Sequence, residues 1–157
     1  MQIRLKKLIG KVLLPLLVGG LSFLLTRNGM ATYTQTVQKP PLTPPPWVFG
    51  AVWTVLYLLM GIADYLVSEQ KAPLIKKQRA QTAYGIQLAL NFLWPLIFFN
   101  LSAYLPAFFI LIALFLAVAV TAYLFFRLSK PAGVLLIPYL LWLILAGYLN
   151  YGVWQLN

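Results

Sequence analysis

The run from Tyr104 to Phe126 carries no charged residue, and long apolar runs of this kind recur along the chain. About 20 such residues cross the hydrocarbon core of a bilayer as α-helix. That recurrence sets the fold class: an all-α integral membrane protein, a bundle of five transmembrane helices in a single domain over 1–157. With 62% hydrophobic and 9% charged residues, the chain is too apolar for a soluble globule.

The spans are expected at about 9–25, 47–67, 80–99, 104–126 and 133–154. A loop over 26–46 joins the first two, and a basic loop from Ser68 to Arg79 joins the second and third. The basic start Arg4-Leu5-Lys6-Lys7 before an apolar run resembles a signal peptide. No A-x-A-like site precedes Arg27, so the run is read as a retained span. Five spans put the N-terminus and the second-to-third and fourth-to-fifth connections on one side. That side holds Arg4, Lys6, Lys7, Lys11, Lys71, Lys76, Lys77, Arg79, Arg127 and Lys130, ten of the 12 basic residues; the other holds Arg27 and Lys39. By the positive-inside rule the N-terminus is cytoplasmic and the C-terminus outside. The net charge of +10 lies in short connections between apolar helices. It therefore points to anionic lipid headgroups and not to nucleic acid.

Absences narrow the chemistry further. There is no Cys and no His, which removes disulfides, zinc and iron–sulfur sites, thiol nucleophiles and Ser-His triads. The only carboxylates, Asp64 and Glu69, lie near one helix end, and neither a glycosidase pair nor a cage for hard cations can be built from them. No metal site and no required cofactor are expected, and no inverted repeat marks a secondary transporter.

The segment Lys39-Pro40-Pro41-Leu42-Thr43-Pro44-Pro45-Pro46-Trp47 leads straight into an apolar helix. Proline lacks an N–H and fixes its own φ, so the run is a stiff lead-in, and Pro46 suits the first helical turn. It reads as a lid over the bundle, with Pro40, Pro44 and Pro45 as its rigid points. In the third span Gln87, Asn91, Trp94 and Phe98 share one helix face. Amides in hydrocarbon need partners, so that face turns inward. It serves either as glue between helices or as cavity lining. A second stripe runs through Tyr139, Trp142, Ala146, Leu149 or Asn150, and Val153. A third comprises Gly50, Trp53, Tyr57 and Gly61, with the same two readings. Trp47 and Trp154, near span ends, read as interfacial anchors. Meeting in one bundle, the three faces would form an apolar pocket with a few amide and phenol groups, suited to a large, flat, hydrophobic ligand.

Three segments together resemble the translocator protein/tryptophan-rich sensory protein (TspO/MBR, peripheral benzodiazepine receptor-like) family, as a bacterial-type member. They are Lys39-Pro40…Pro44-Pro45…Trp47-Val48…Gly50…Val52-Trp53…Leu56-Tyr57…Met60-Gly61, then Tyr84…Gln87-Leu88-Ala89-Leu90-Asn91…Trp94-Pro95…Phe98-Phe99, and Pro138-Tyr139…Trp142…Ala146…Leu149-Asn150…Trp154. The resemblance implies a five-helix bundle, commonly a homodimer, with a pocket closed by the first loop. It implies a membrane binding protein for tetrapyrroles (protoporphyrin IX, haem-type ligands) and similar flat molecules, acting as sensor or translocator in porphyrin or stress response. By motif, Trp53, Asn91, Trp94, Phe98, Trp142, Ala146 and Leu149 would line the pocket, to which the stripes add Tyr57, Gln87 and Tyr139. Two alternatives remain: light-dependent porphyrin breakdown using Trp53 and Trp142, with no acid–base residue, and a small structural or transport subunit without a ligand of its own.

Three departures stand out. Leu42 replaces a tryptophan common in the family's loop, and Pro106 lies near a fourth-span tryptophan of some members. The sterol motif is incomplete, because no basic residue follows Leu149…Tyr151. The homodimer is expected through small residues, Gly85 and Ala89 in the third span and Ala113, Ala117 and Thr121 in the fourth, which either pack between copies or inside one bundle.

Overall fold

The computed structural model describes residues 2–157. Six helices follow in order: α1 (Leu5–Thr36), α2 (Pro46–Ser68), α3 (Leu74–Pro95, prolonged by a π-helical turn Leu96–Asn100), α4 (Tyr104–Leu128), α5 (Lys130–Val134) and α6 (Ile137–Leu156). With the short α5 running into α6, they make five helices long and apolar enough to cross a membrane. The chain is a multi-pass membrane protein.

Helix bounds outrun the apolar runs. α1 continues through Thr36, so the loop expected over 26–46 shrinks to 37–45. Arg27, Asn28 and Gly29 end the hydrophobic run but do not break a helix. Thr32, Thr34 and Thr36 bond back to carbonyls one turn earlier, and the next proline after Pro15 is Pro40. The basic loop expected over Ser68 to Arg79 is likewise mostly helix. Pro73 caps α3, and Lys76, Lys77 and Arg79 ride on its first turns. The last span starts earlier than 133, because Pro131 near the start of α5 favours helix initiation. The π turn lies where Pro95, lacking an N–H, interrupts the regular bonding of α3, and Leu101 N–H reaches back to Leu96 O at 3.3 Å.

Around the bundle α1 packs on α2 and α3, α3 on α4, and α4 on α6, with α5 wedged against α2 and α4. Backbones approach most closely where glycine permits. A Cβ on Gly61 would meet Val12 Cα and stand 2.9 Å from the Lys11 carbonyl. That carbonyl is the one Pro15, inside α1, cannot serve with an N–H. Gly19 seats the Tyr57 ring, and Gly29 lies against the Phe99 carbonyl. The interior is filled by Met60, Ala63, Val67, Leu114, Val118, Phe125, Leu136 and Leu143.

Both carboxylates tie α2 to the basic start of α1. Lys7 Nζ donates to Glu69 Oε1 at 2.5 Å and Arg4 stands 3.6 Å from Glu69 Oε2. Asp64, almost fully buried, pairs with Lys11 at 3.0 Å and accepts a bond from Gln81. Each buried charge therefore has a partner, as hydrocarbon requires. Of the small residues on outer faces, Gly85 has open space around it and Ala89 and Ala113 are exposed. Thr121 instead is buried inside the bundle, bonded to the Ala117 carbonyl.

Candidate functional site

The aromatic interior is built on α2, α3 and α6. On α2, Trp53 stacks on Tyr57 (5.7 Å, 28°), one turn apart on the face that helical spacing dictates. The Trp53 ring meets Tyr139 edge-on at 6.0 Å and Trp142 at 6.5 Å and 90°, and Phe49 closes on Trp142 at 5.6 Å. Edge-to-face geometry sets the positive edge of one ring on the negative face of the next.

Through this cluster runs one chain of hydrogen bonds. The Tyr57 hydroxyl donates to Asn91 Oδ1 at 2.7 Å, Asn91 Nδ2 donates to the Tyr139 oxygen at 2.6 Å, and Tyr139 donates to Gln87 Oε1 at 3.0 Å. Gln87 Nε2 ends the chain on the thioether of Met60 at 3.8 Å. Every polar group in this chain is partnered, so Gln87 and Asn91 do act as glue joining three helices. They also fix the orientation of the phenol rings that face the indoles.

A second tier lies toward the loop. Trp94 Nε1 donates to Asn150 Oδ1 at 2.9 Å, and Asn150 Nδ2 donates to the Tyr104 carbonyl at 2.8 Å. Trp94 stacks on Phe98 (5.1 Å, 28°), and Phe98 is surrounded by Tyr33, Phe99 and Tyr104. Trp94 packs against both tiers. Ala146 and Leu149, nearly buried on the inward face of α6, complete the interior.

All ten sequence-derived lining residues (Trp53, Tyr57, Gln87, Asn91, Trp94, Phe98, Tyr139, Trp142, Ala146 and Leu149) thus fall on inward faces of α2, α3 with its π turn, and α6. The alternative of Leu149 or Asn150 resolves to both, with Asn150 as the polar partner of Trp94. Phe49, Met60, Tyr104 and Tyr33 join the site without a site signal of their own in the sequence: Tyr33 lies in the stretch expected as loop, which is helix, and the others carry signals only through their neighbours.

The short loop 37–45 sits on the end of α6. Pro40 is buried where a Cβ on Gly152 would stand 2.7 Å from its ring. Tyr148 donates to the Pro41 carbonyl at 3.0 Å, and Asn157 exchanges bonds with the Gln38 backbone at 3.1 and 2.8 Å. Pro44 is half-buried, and Pro45 caps α2. Lys39 Nζ lies 3.0–3.2 Å from the carbonyls of Tyr33, Thr34 and Val37, and 4.8 Å from the Tyr33 ring centre. It therefore caps the C-terminus of α1. Leu42 takes a left-handed φ of 68° and is 83% exposed, so its side chain covers nothing in the interior.

Two concavities lie beside this interior. A groove of about 510 Å³ runs between α2 and the start of α6, lined by Val52, Val55, Leu56, Pro138, Leu141 and Trp142 among others. A cleft of about 660 Å³ between the start of α4 and the end of α6 is lined by Ser102, Tyr104, Pro106, Trp154 and Asn157. Pro106 belongs to this cleft and not to the aromatic interior. Three buried side-chain polar atoms have no hydrogen-bond partner: the Ser22 hydroxyl on α1, the Tyr84 hydroxyl on α3, whose ring packs on Phe125, and Trp142 Nε1, the one that lies in the indole cluster.

A family model described as the TspO/MBR family matches residues 11–155. The chain is 38% identical over 151 residues to a protein named tryptophan-rich protein TspO from Archaeoglobus fulgidus, covering 96% of this chain and 97% of that one. It is 37% identical to the translocator protein of Bos taurus, with 95% and 89% covered. To a tryptophan-rich sensory protein of Cereibacter sphaeroides it is 38% identical, with 77% and 74% covered.

Proposed function

The chain belongs to the TspO/MBR family, and we propose that it is a membrane binding protein for tetrapyrroles and similar flat hydrophobic molecules, serving as a sensor or translocator. The observation that carries this reading is the unpartnered Trp142 Nε1, set beside Tyr57, Asn91, Tyr139, Gln87, Trp94 and Asn150, whose polar groups are paired. A buried N–H without an acceptor costs roughly 1–3 kcal/mol, which a ligand carbonyl or carboxylate would recover. A porphyrin offers both requirements: a flat π-face for the surrounding rings and carboxylates at its rim. Ala146 is the point where space is most easily removed. Ala146→Thr adds two heavy atoms on the inward face of α6, and overpacking of this kind costs about 1–3 kcal/mol, roughly tenfold to a hundredfold in affinity. Titration of protoporphyrin IX by tryptophan quenching should show saturable binding in wild type, weakened to that extent in Ala146→Thr. Ile144→Thr, on an exposed face, should leave it unchanged. Equal affinities for all three would remove Ala146 from the site, and no quenching in wild type would end the reading.

The perpendicular Trp53–Trp142 pair favours a second reading, light-dependent oxidative breakdown of bound porphyrin by dioxygen. A defined product formed in light, absent in darkness and in Trp53→Phe, would establish it. Unchanged spectra in light would leave binding alone. For the expected homodimer, the exposed Gly85–Ala89 face of α3 is the proposed contact.

A further inference from the structure

If the aromatic interior takes a flat ligand, the ligand needs a way in, and most of its boundary is shut. At the loop end, Pro40 is seated on Gly152, Tyr148 holds the Pro41 carbonyl and Asn157 holds Gln38. The N-terminal end is closed by Lys7 and Arg4 on Glu69, and by Lys11 and Gln81 on Asp64. Around the sides, α1 meets α2 through Gly19 and Gly61, and meets the π turn through Gly29. α3 packs closely on α4, and α4 on α6.

The seam between α2 and α6 differs. These two helices are not among the closely approaching pairs, and aromatic side chains, Phe49, Trp53 and Trp142, span the distance between them. On the outer side of those rings lies the 510 Å³ groove, whose Val55 and Leu141 are 53% and 63% exposed on the apolar outer face. Trp142 belongs to both compartments: it lines the groove, and it packs against Trp53 and Phe49. It is also unlatched. Trp94 is tied by its indole N–H to Asn150, whereas Trp142 has no hydrogen bond to break when its ring turns. Just before it, the helical run of the last span is interrupted at Leu135–Leu136, between α5 and α6.

We propose that flat apolar ligands pass directly between the bilayer and the aromatic interior through the α2–α6 seam, with Trp142 as its gate. The ligand class is a planar polycycle carrying a carbonyl or carboxylate, which meets the free Trp142 N–H as it crosses. This inference rests on the binding function proposed above, and its test separates the two.

The chain has no cysteine, so an introduced pair is unique. Val55→Cys with Leu141→Cys, joined by a bifunctional thiol linker, bars the seam. Gln38→Cys with Gln155→Cys, joined in the same way, fastens the loop end. Protoporphyrin IX association and dissociation are followed by stopped-flow porphyrin fluorescence in lipid nanodiscs. The expected result is that the Val55–Leu141 link slows both rates at least tenfold with the dissociation constant within threefold, because a barred gate acts on both directions alike. Monofunctional thiol capping of the same variant, and the Gln38–Gln155 link, should leave the rates near wild type. Slowing by the loop link alone would place the path at the loop end and overturn the proposal, as would unchanged rates in both linked forms. Absence of binding in wild type would overturn the binding function itself, which the rates of the linked forms cannot do.

Discussion

Replacing Asn91 by alanine tests the hydrogen-bond chain that joins α2, α3 and α6. Asn91 is 2% exposed, accepts from Tyr57 at 2.7 Å and donates to Tyr139 at 2.6 Å. In Asn91→Ala the Tyr57 hydroxyl loses its acceptor, while Tyr139 keeps its own donation to Gln87. Interhelical hydrogen bonds within membranes average about 0.6 kcal/mol and reach about 1.7. An orphaned buried hydroxyl costs about 1–3 kcal/mol. Two lost bonds and one orphan donor therefore come to about 2 kcal/mol. Tyr57→Phe removes a single bond and should cost about 1 kcal/mol. Because both changes break the same Tyr57–Asn91 bond, the double variant should cost less than the sum by about 0.6–1.5 kcal/mol, a coupling typical of residues in direct contact. Reversible denaturant unfolding in bicelles, read by tryptophan fluorescence, supplies all four corners of the cycle. Additivity within about 0.3 kcal/mol would show that the two side chains are independent and that the chain of bonds is not as described.

Three further outcomes follow from the same geometry. Gly61→Ala should lower the unfolding midpoint markedly, because the new Cβ meets Val12 of α1. Gly50→Ala, with nothing within 4 Å, should hold it or raise it through the helix propensity of alanine, worth about 1 kcal/mol. A hydrogen bond and charge from Lys7, with Arg4 and Lys77 adding to it, hold the Glu69 carboxyl below its ordinary 4.5. Its stabilisation is thus complete above that value and lost as pH falls through the lowered one; wild type should lose melting temperature on acidification below pH 4.5, and a Glu69→Gln variant less. Gln38→Cys and Gln78→Cys, both at exposed positions, should label differently with an impermeant maleimide in intact cells: reaction at 38 and none at 78 is the expected pattern, and the reverse would invert the orientation.

What the sequence made legible were the faces. Gln87, Asn91, Trp94 and Phe98 fall on the side of α3 that their spacing assigns, since amides and indoles have nowhere else to go in a lipid-facing bundle. Helix ends were less legible, because the apolar run and the helix stop for different reasons. Arg27 ends the first, and only the approach of Pro40 ends the second. The division of labour between Trp94 and Trp142 was hidden as well. Both are tryptophans on an inward stripe, and only the position of Asn150 decides that one is bonded and the other free. Close glycine contacts such as Gly19 on Tyr57 were equally out of reach, because they depend on how two helices cross.

A crystal structure grown from lipid mesophase with protoporphyrin IX would show whether the interior between α2, α3 and α6 receives a flat tetrapyrrole. The macrocycle should lie among Trp53, Tyr139 and Trp142, with one of its oxygens within hydrogen-bond distance of Trp142 Nε1. A macrocycle lodged only in the cleft beside Ser102 and Trp154, with the Tyr57–Asn91–Tyr139 chain and the Trp142 ring unmoved, would contradict it.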